Sequence, residues 1–289
     1  MSSILITGAT GFIGSHLVRA IQDRHQIYGL VRKLTGKNLF TGVHWIEQDL
    51  AQPLDYSRLP NNVDIFIHLA QSRFYKQFPD KSKDIFDINI HSTFQLLEYA
   101  RQVGAKCFVF ASSGGVYGYS YEKFVETDPV TPLNFYLSSK YTAELLIANY
   151  NKFFNTVALR FFFVYGEGQR GMLFSRLLER AKRGESIIIE GQDGINMNPI
   201  YVGDAIKVFE PALSLPSDIY NIAGDEVISI KDLVLMMGRL VGKRVRLKHT
   251  KNGSSGDILG DNAKMKQKLE IYPKVSLEEG ISRMIIHEA

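Results

Sequence analysis

Residues 4–14 read ILITGATGFIG, and this stretch decides the fold. The apolar run Ile4–Thr7 is typical of a buried strand, and three glycines follow it where a helical pattern begins. Glycines in such a turn allow a close approach to a phosphate, and the amides of the following helix attract its charge. The spacing is G-x-x-G-x-x-G, a variant of the dinucleotide fingerprint, and the alternative is an ordinary glycine-rich turn. The stretch predicts a dinucleotide site formed by Gly8, Thr10, Gly11, Phe12, Ile13 and Gly14.

Short apolar runs and helical patterns alternate through the first half of the chain, as they do around a parallel sheet. The pattern predicts an α/β protein with a Rossmann domain, a doubly wound parallel sheet, over residues 1–165. The alternation breaks after Gly166, so residues 166–289 are predicted to form mainly a smaller C-terminal substrate-binding lobe, with residues 198–225 returning to the sheet. The predicted strands are Ile4–Thr7, Ile27–Val31, Val43–Glu47, Val63–Leu69, Cys107–Ala111 and Val157–Phe163, and the predicted amphipathic helices are 16–22, 87–103 and 135–150.

Composition restricts the class of protein. Of the 289 residues, 45% are hydrophobic and 22% are charged, as in ordinary globular domains. The net charge of +4 is spread along the chain, which gives little support to nucleic-acid binding. The single Cys107 fits a reducing compartment, and neither a signal peptide nor a membrane-spanning stretch is recognisable. We therefore expect a cytoplasmic protein without nucleic-acid or membrane partners.

The residues after the second and third predicted strands bear on which dinucleotide binds. An NAD site usually has an acid near the end of the second strand, and Ile27–Val31 contains none. Arg32 follows instead, and its guanidinium can pair with the 2′-phosphate of NADP or lie in a solvated loop, so the sequence favours NADP over NAD. Asp49 and Leu50, after the third strand, can contact the adenine, or Asp49 can cap a helix.

Tyr136 and Lys140 lie four residues apart in a helical pattern, and therefore on one helix face. A free phenol, with a pKa of about 10, is a poor proton acceptor near neutrality, and an adjacent ammonium lowers that pKa. Ser113 follows a predicted strand at the carboxyl edge of the sheet, where ligands bind, although a serine there can simply form a turn. We predict that Tyr136 exchanges a proton with a carbonyl or alcohol, that Lys140 supports it and that Ser113 binds the reacting oxygen while nicotinamide exchanges hydride.

These motifs together resemble the extended short-chain dehydrogenase/reductase family, the NAD-dependent epimerases and dehydratases. The resemblance covers nearly the whole chain, with landmarks at Thr7–Gly14, Asp49–Leu50, Ile67–Ala70, Asn89 with Ser92–Thr93, Ser112–Gly118, Tyr136 with Lys140, Leu159–Phe162 and Asn198–Asp204. It implies a homodimer formed by the helices at 93–103 and 136–150. It also implies cofactor contacts from Leu69, Ala70, Gln71, Asn89, Ala111, Ser112, Tyr136, Lys140 and Phe162, and a place for Arg73 near the nicotinamide.

Departures from the family pattern bear on the substrate. Family dehydratases carry an Asp-Glu pair after the catalytic hydroxyl, and Gly114-Gly115 stands there instead, which disfavours dehydration. Nucleotide-sugar members hold the diphosphate with an Asn and an Arg, and Phe163 and Met197 replace them here. Arg170 can substitute for that Arg or be a surface charge. The candidate substrate-binding residues are Arg73, Gly114, Tyr117, Phe163 and Arg170, and for Tyr117 the alternative is packing under a loop.

Three functions follow from these motifs. The first is an NAD(P)-dependent epimerase or 4-ketoreductase of a nucleotide sugar. The others are an NADPH-dependent reductase of a small or hydrophobic carbonyl compound and a non-catalytic NADP-sensing binding protein. We expect no metal site, because the histidines lack partners at ligand spacing, and we expect His68 to be a hydrogen-bonded core residue.

Overall fold

The computed structural model describes residues 1–35, 39–251 and 256–287. Strands β1 to β13 are, in chain order, Ser3–Thr7, Gln26–Val31, Val43–Glu47, Ile65–His68, Cys107–Ser113, Asn155–Phe161, Val164–Tyr165, Ser186–Ile189, Asn196–Met197, Ile200–Tyr201, Asp218–Ile222, Ile228–Ser229 and Arg246–His249. Helices α1 to α10 are Phe12–Ile21, Ser82–Phe86, Ser92–Gln102, Phe135–Ala148, Leu173–Lys182, Val202–Ala205, Phe209–Ala212, Ile230–Leu240, Ala263–Leu269 and Leu277–His287.

Seven strands form one sheet in the order β11-β6-β5-β4-β1-β2-β3. The pairs β1–β2, β2–β3, β1–β4 and β4–β5 are parallel. The predicted α/β fold with a doubly wound parallel sheet is therefore confirmed. Since β1, β4 and β5 are neighbours and run in the same direction, the residues that follow their carboxyl ends lie along one edge, where open α/β sheets bind ligands.

The inner strands β1, β4 and β5 have buried side chains on both faces, which explains their largely apolar sequences. Ile4, Leu5 and Ile6 are fully buried, and the rings of Phe66 and Phe108 stack with centroids 5.9 Å apart. Helices α3 and α4 add Leu96, Leu97, Ala143 and Ile147 to the same core. This packing fixes the strand ends from which the candidate site projects.

Contacts divide the chain into two compact units. The first comprises residues 1–116, 130–160 and 208–220, and the second comprises residues 117–129, 161–207 and 221–289. The second unit contains the two-stranded pairs β10–β7, β12–β9 and β13–β8. The domain boundaries given by the sequence pattern stay a prediction. In the parts of the chain that are described, no helix has the length and apolar character required to cross a bilayer.

The helix predicted over residues 87–103 begins instead with a π-helical turn, Asp87–His91, which leads into α3. The hydroxyls of Ser92 and Thr93 donate to the carbonyl oxygens of Ile88 and Asn89, at 2.7 and 2.8 Å. Such bonds compete with the regular helical pattern for the same carbonyl groups. The widened turn contains Asn89, whose side chain takes part in the candidate site.

Candidate active site

The turn between β1 and α1 requires glycine at two positions. Gly8 has a φ of +69°, and a Cβ there would lie 2.8 Å from the backbone nitrogen of Ala70. A Cβ on Gly14 would lie 2.2 Å from the carbonyl oxygen of Gly8. Both distances are too short for any side chain, so the glycines allow the turn, the start of α1 and the segment after β4 to pack together.

The N-terminus of α1 offers backbone amides to an anion. Gly11 is the N-cap residue, no side chain caps the helix, and its first turn contains no acid. The helix dipole and these N–H groups favour negative charge at that point. Thr10, Phe12 and Ile13 belong to the same turn. The arrangement fits the pyrophosphate of a dinucleotide.

Hydrogen bonds around His68 hold the end of β4 beside this turn. Its Nδ1 pairs with Thr7 Oγ1 at 2.6 Å, and its Nε2 pairs with Thr93 Oγ1 at 3.0 Å. The backbone N–H of Ala70 donates to the same Thr7 hydroxyl at 3.2 Å. Burial lowers the pKa of His68 to about 3, and the charge of Lys140 acts in the same direction. The prediction that His68 is a hydrogen-bonded core residue is confirmed. Leu69 follows His68 directly in the chain.

The residues predicted to select the cofactor lie after β2 and β3. Arg32 is exposed. The Asp49 carboxylate accepts a 3.0 Å hydrogen bond from the backbone N–H of Ala51, and Leu50 packs against the core. Asp49 therefore stabilises a local turn in this structure, and the adenine contacts of Asp49 and Leu50 stay a prediction.

Tyr136 is the second residue of α4, a helix whose N-cap Asn134 accepts a 3.0 Å hydrogen bond from the N–H of Leu137. The Tyr136 phenol donates a 2.9 Å hydrogen bond to Oε1 of Gln71. Burial and, to a smaller extent, Tyr75, whose ring centroid lies 5.0 Å away, raise the pKa of Tyr136 above its usual value. Burial therefore favours the protonated form of the phenol.

Lys140 lies one turn further along α4 and is 2% exposed. Its ammonium donates a 2.8 Å hydrogen bond to the carbonyl oxygen of Ala111 and lies 4.8 Å from the Phe110 ring centroid. Burial lowers the pKa of Lys140 to about 7, and the carboxylate of Glu144 acts in the opposite direction. The ammonium is bonded to β5 in this structure, and its predicted effect on the pKa of the Tyr136 phenol stays a prediction.

The end of β5 carries two adjacent serines with different partners. Ser113 Oγ accepts a 3.2 Å hydrogen bond from the backbone N–H of Gly115, so it forms a turn here, and its bond to a reacting oxygen stays a prediction. Ser112 Oγ donates to the carboxylate of Glu144. That carboxylate also forms an ion pair with Arg160, with 2.6 Å between Oε2 and Nη2. The ion pair thus anchors the strand end that includes Ala111 and Ser112.

Asn89 links the segment after β4 to α4. Its Oδ1 accepts a 2.8 Å hydrogen bond from the backbone N–H of Ser72, and its Nδ2 donates a 2.8 Å hydrogen bond to Ser139 Oγ. Arg73 is exposed, with its guanidinium 4.5 Å from the ring centroid of Phe74. Asn89 therefore bridges two segments of the protein. The predicted contact of Asn89 with a cofactor stays a prediction.

Sequence reasoning did not identify Tyr75, Ser139 or Glu144. For Glu144 a signal existed, since it lies one turn beyond Lys140 on the same helix face and a strand arginine, Arg160, requires a buried partner. For Tyr75 no local signal existed, because its contact with Tyr136 joins segments that are distant along the chain.

In the second unit, Tyr117 and Phe162 are both buried. The Tyr117 hydroxyl donates a 2.8 Å hydrogen bond to Asn221 Oδ1, and its ring stacks on Phe124 with centroids 4.7 Å apart. The ring of Phe162 lies 6.3 Å from that of Tyr117. Tyr117 therefore packs inside the second unit. This is the alternative that the sequence left open to a contact with the substrate.

The remaining substrate candidates differ in their surroundings. Phe163 is half-buried and has a φ of +46°, in the left-handed region that bulky residues rarely occupy. Arg170 is exposed, and Gly114, in the first unit, is buried after β5. Met197 is fully buried in β9, paired with Ile228, so its identity reflects packing and gives no argument for a hydrophobic substrate.

Comparisons with known proteins place this chain in a family. Residues 4–223 match the NAD dependent epimerase/dehydratase family. A putative UDP-glucose 4-epimerase from Methanocaldococcus jannaschii is 31% identical over 98% of this chain and 97% of its own length. The chain therefore belongs to the NAD-dependent epimerase/dehydratase family, whose members are enzymes.

Two solved structures are similar over the whole chain. One is UDP-glucuronic acid 4-epimerase from Bacillus cereus in complex with UDP-glucuronic acid and NAD, with a TM-score of 0.88 and 28% identity over 99% of this chain and 98% of that one. The other is UDP-glucose 4-epimerase from Thermus thermophilus in complex with NAD, with a TM-score of 0.85, 26% identity and the same coverage.

The prediction of NADP is wrong. Both solved neighbours contain NAD, which points to NAD as the cofactor type. The reason lies at Arg32, which is exposed after β2, where water stabilises a guanidinium without a phosphate partner. The lack of an acid in β2 does not by itself create a site for a 2′-phosphate.

Proposed function

We propose that this protein is an NAD-dependent 4-epimerase of a nucleotide-activated sugar. The observation that carries the proposal is the full-length similarity to 4-epimerases in a chain that keeps Ser113, Tyr136 and Lys140 at the carboxyl end of β5 and the start of α4. The glycine turn before α1 supports NAD binding through its amides. The pair Gly114-Gly115 after Ser113 supplies no acid or base for dehydration.

The proposed chemistry moves one proton and one hydride. NAD, when bound, supplies the hydride acceptor and donor, so epimerisation leaves no net change in the cofactor. Tyr136 takes the proton of the sugar hydroxyl and later returns it, and Ser113 orients the oxygen. Lys140, held by the Ala111 carbonyl, keeps a positive charge near the phenol when the pH is below about 7. Lys140 is buried and Tyr136 is half-buried, which limits the access of water to the proton transfer.

A panel of UDP-, dTDP-, GDP- and CDP-sugars with NAD tests this proposal. UDP-hexoses and UDP-hexuronates are the proposed substrate class, because the similar proteins are named for UDP-glucose and UDP-glucuronic acid. We expect interconversion of C4 epimers, followed by NMR, with constant absorbance in the nicotinamide band. Steady consumption of reduced cofactor would indicate a reductase instead. The Tyr136→Phe variant should lose activity while NAD affinity is kept, whereas unchanged activity would contradict the assigned role.

We also propose that the protein is a homodimer formed through α3 and α4. Phe94 and Leu145 are 45% and 52% exposed on these helices, and exposed apolar patches often mark interfaces. Leu145→Glu should therefore shift the protein from dimer to monomer in analytical ultracentrifugation. Ile286→Glu, which alters a side chain 75% exposed on α10, is the matched control and should not. A wild-type monomer would contradict the proposal.

A further inference from the structure

The phenol of Tyr136 has a partner with no part in the chemistry above. Gln71, half-buried on the segment after β4, accepts its hydrogen bond through Oε1 at 2.9 Å. A glutamine amide carries an acceptor oxygen and a donor NH2 group at the same reach. It can therefore bond with the phenol through the oxygen and with the phenolate through the nitrogen.

We propose that Gln71 is a positioning residue that serves both protonation states of Tyr136, by rotating its amide group between them. This inference rests on the proposed epimerase function, in which each turnover needs both states. In the first half of the reaction the sugar O4–H bond breaks and an O–H bond forms on the phenolate, while the C4–H bond breaks to give a C4 carbonyl; bound NAD would take up the hydride. In the second half the phenol returns the proton to O4, and the hydride would return to the opposite face of C4, so the configuration at C4 is inverted. The amide itself neither gains nor loses a proton.

A closed series of hydrogen bonds fixes Gln71 relative to Tyr136. The next residue, Ser72, donates its backbone N–H to Asn89 Oδ1, and Asn89 Nδ2 donates to Ser139 Oγ. Ser139 Oγ in turn donates to the carbonyl oxygen of Tyr136 at 2.7 Å. Gln71 and Tyr136 are therefore connected twice, once by the hydrogen bond between their side chains and once through the bonds of Asn89. Such a double connection holds the amide within bonding distance of the phenol oxygen.

Aromatic contacts hold the same segment on the start of α4. The rings of Tyr75 and Tyr136 lie 5.0 Å apart, and Phe78 stacks on Phe135 with centroids 4.7 Å apart. Ser72 is fully buried, and its hydroxyl accepts from the N–H of Phe74 at 3.1 Å. These contacts anchor the segment on both sides of Gln71 and Tyr75. Rotation of the Gln71 amide group is the motion that they still allow.

Among the described residues, Tyr75 is the titratable group that adds to burial in raising the pKa of Tyr136. On α4 the ammonium of Lys140 donates to the carbonyl oxygen of Ala111, and on the segment of Gln71 the cations of Arg73 and Lys76 lie over the rings of Phe74 and Tyr75. His68, behind Lys140, is neutral above about pH 3. Burial disfavours the phenolate, and a donor NH2 at the phenol oxygen offsets part of that penalty without adding charge.

Two variants of similar size to glutamine test the proposal, in the NAD-bound protein. Gln71→Glu keeps an acceptor but puts a negative charge beside the phenolate, and Gln71→Met removes both bonds. We expect Gln71→Glu to raise the apparent pKa of Tyr136 by about one unit or more, and to move the acid limb of the kcat profile to higher pH by the same amount. Gln71→Met should lower kcat about tenfold or more with KM little changed. The matched control is Gln77→Glu, an exposed change in the same segment, and it should match wild type.

The phenol titration separates this inference from the proposed function. Ultraviolet difference spectra against Tyr136→Phe report the phenolate without any substrate, so they remain informative even if no sugar is epimerised. An unchanged Tyr136 titration in Gln71→Glu would overturn the role of Gln71. A shifted titration in a protein that epimerises no sugar would instead refute the proposed function alone. Thermal unfolding of each variant shows that its fold is kept.

Discussion

Glu144 and Arg160 form an ion pair whose side chains are 4% and 3% exposed. Burying two charges is favourable only when geometry and further hydrogen bonds compensate for lost hydration. Here Arg160 Nε also donates to the carboxylate at 3.1 and 3.2 Å, and Ser112 donates to it as well. The same carboxylate counteracts the effect of burial on the pKa of Lys140. Glu144 thus both anchors the end of β5 and affects the charge of Lys140.

Removing Arg160 should therefore be costly. In Arg160→Met the Glu144 carboxylate stays buried without its counter-ion, and we expect the free energy of unfolding to fall by about 3–5 kcal/mol. Urea denaturation measures this loss. The control is Lys106→Met, which breaks the pair between Lys106 and Asp64, whose side chains are 77% and 31% exposed, and should cost about 1 kcal/mol or less. Equal losses in the two variants would refute the importance of the buried pair.

His68 should make stability depend on pH. Burial lowers its pKa from 6.5 to about 3, so the unfolded chain binds this proton first as the pH falls. The contribution of neutral His68 is complete above pH 6.5 and is lost towards pH 3, at up to about 1.4 kcal/mol per pH unit. His68→Asn should be less stable at neutral pH, but its stability should fall less between about pH 6 and pH 4. Denaturation midpoints at stepped pH check this, and parallel curves for the two proteins would contradict it.

The β1 strand, its glycine turn and α1 act as one element. The carbonyl of Gly8 accepts a 2.8 Å hydrogen bond from the N–H of Gly11, and the same oxygen faces Gly14. The amides that start α1 therefore depend on the path of the turn. A change that displaces the turn should remove anion binding before it unfolds the sheet.

Gly14→Ala should separate those effects. The new Cβ would lie 2.2 Å from the Gly8 oxygen, so the turn must move, and we expect NAD affinity to fall by about tenfold or more. Gly104→Ala is the control, because its Cβ would meet nothing within 4 Å and only its φ of +68° causes strain, of about 1 kcal/mol. Calorimetric titration with NAD should show unchanged affinity in Gly104→Ala. Unchanged affinity in Gly14→Ala as well would exclude this turn from the cofactor site.

The elements of the first unit could be predicted from sequence because their signals are local. The apolar runs predicted β1 to β6 to within two residues at each end, and the spacing of Tyr136 and Lys140 predicted the helix that carries them. The contact of Tyr136 with Gln71 and Tyr75 could not be predicted, since it depends on how the segment after β4 folds back on α4. The prediction of NADP was wrong for a related reason, because the identity of Arg32 does not show which groups surround its guanidinium.

At the scale of the whole molecule, cofactor binding should appear as stability. A ligand that binds only the folded state at about 100 times its Kd stabilises it by about 2.7 kcal/mol. We expect NAD to raise the thermal unfolding midpoint of this protein, and NADP at the same concentration to raise it less. The Gly14→Ala variant, with its weaker NAD binding, should show a smaller shift at the same NAD concentration. An equal or larger effect of NADP would contradict the assignment of NAD.

Phe163 gives protein engineers a place to improve this chain. A left-handed backbone under a bulky side chain costs roughly 1–2 kcal/mol, which Gly or Asn avoids. Either replacement should raise the thermal stability by that amount. Phe163 itself is half-buried and follows Phe162 in the chain. A gain in heat resistance accompanied by a change in substrate range would mean that selection has kept the ring for recognition and accepted the backbone strain.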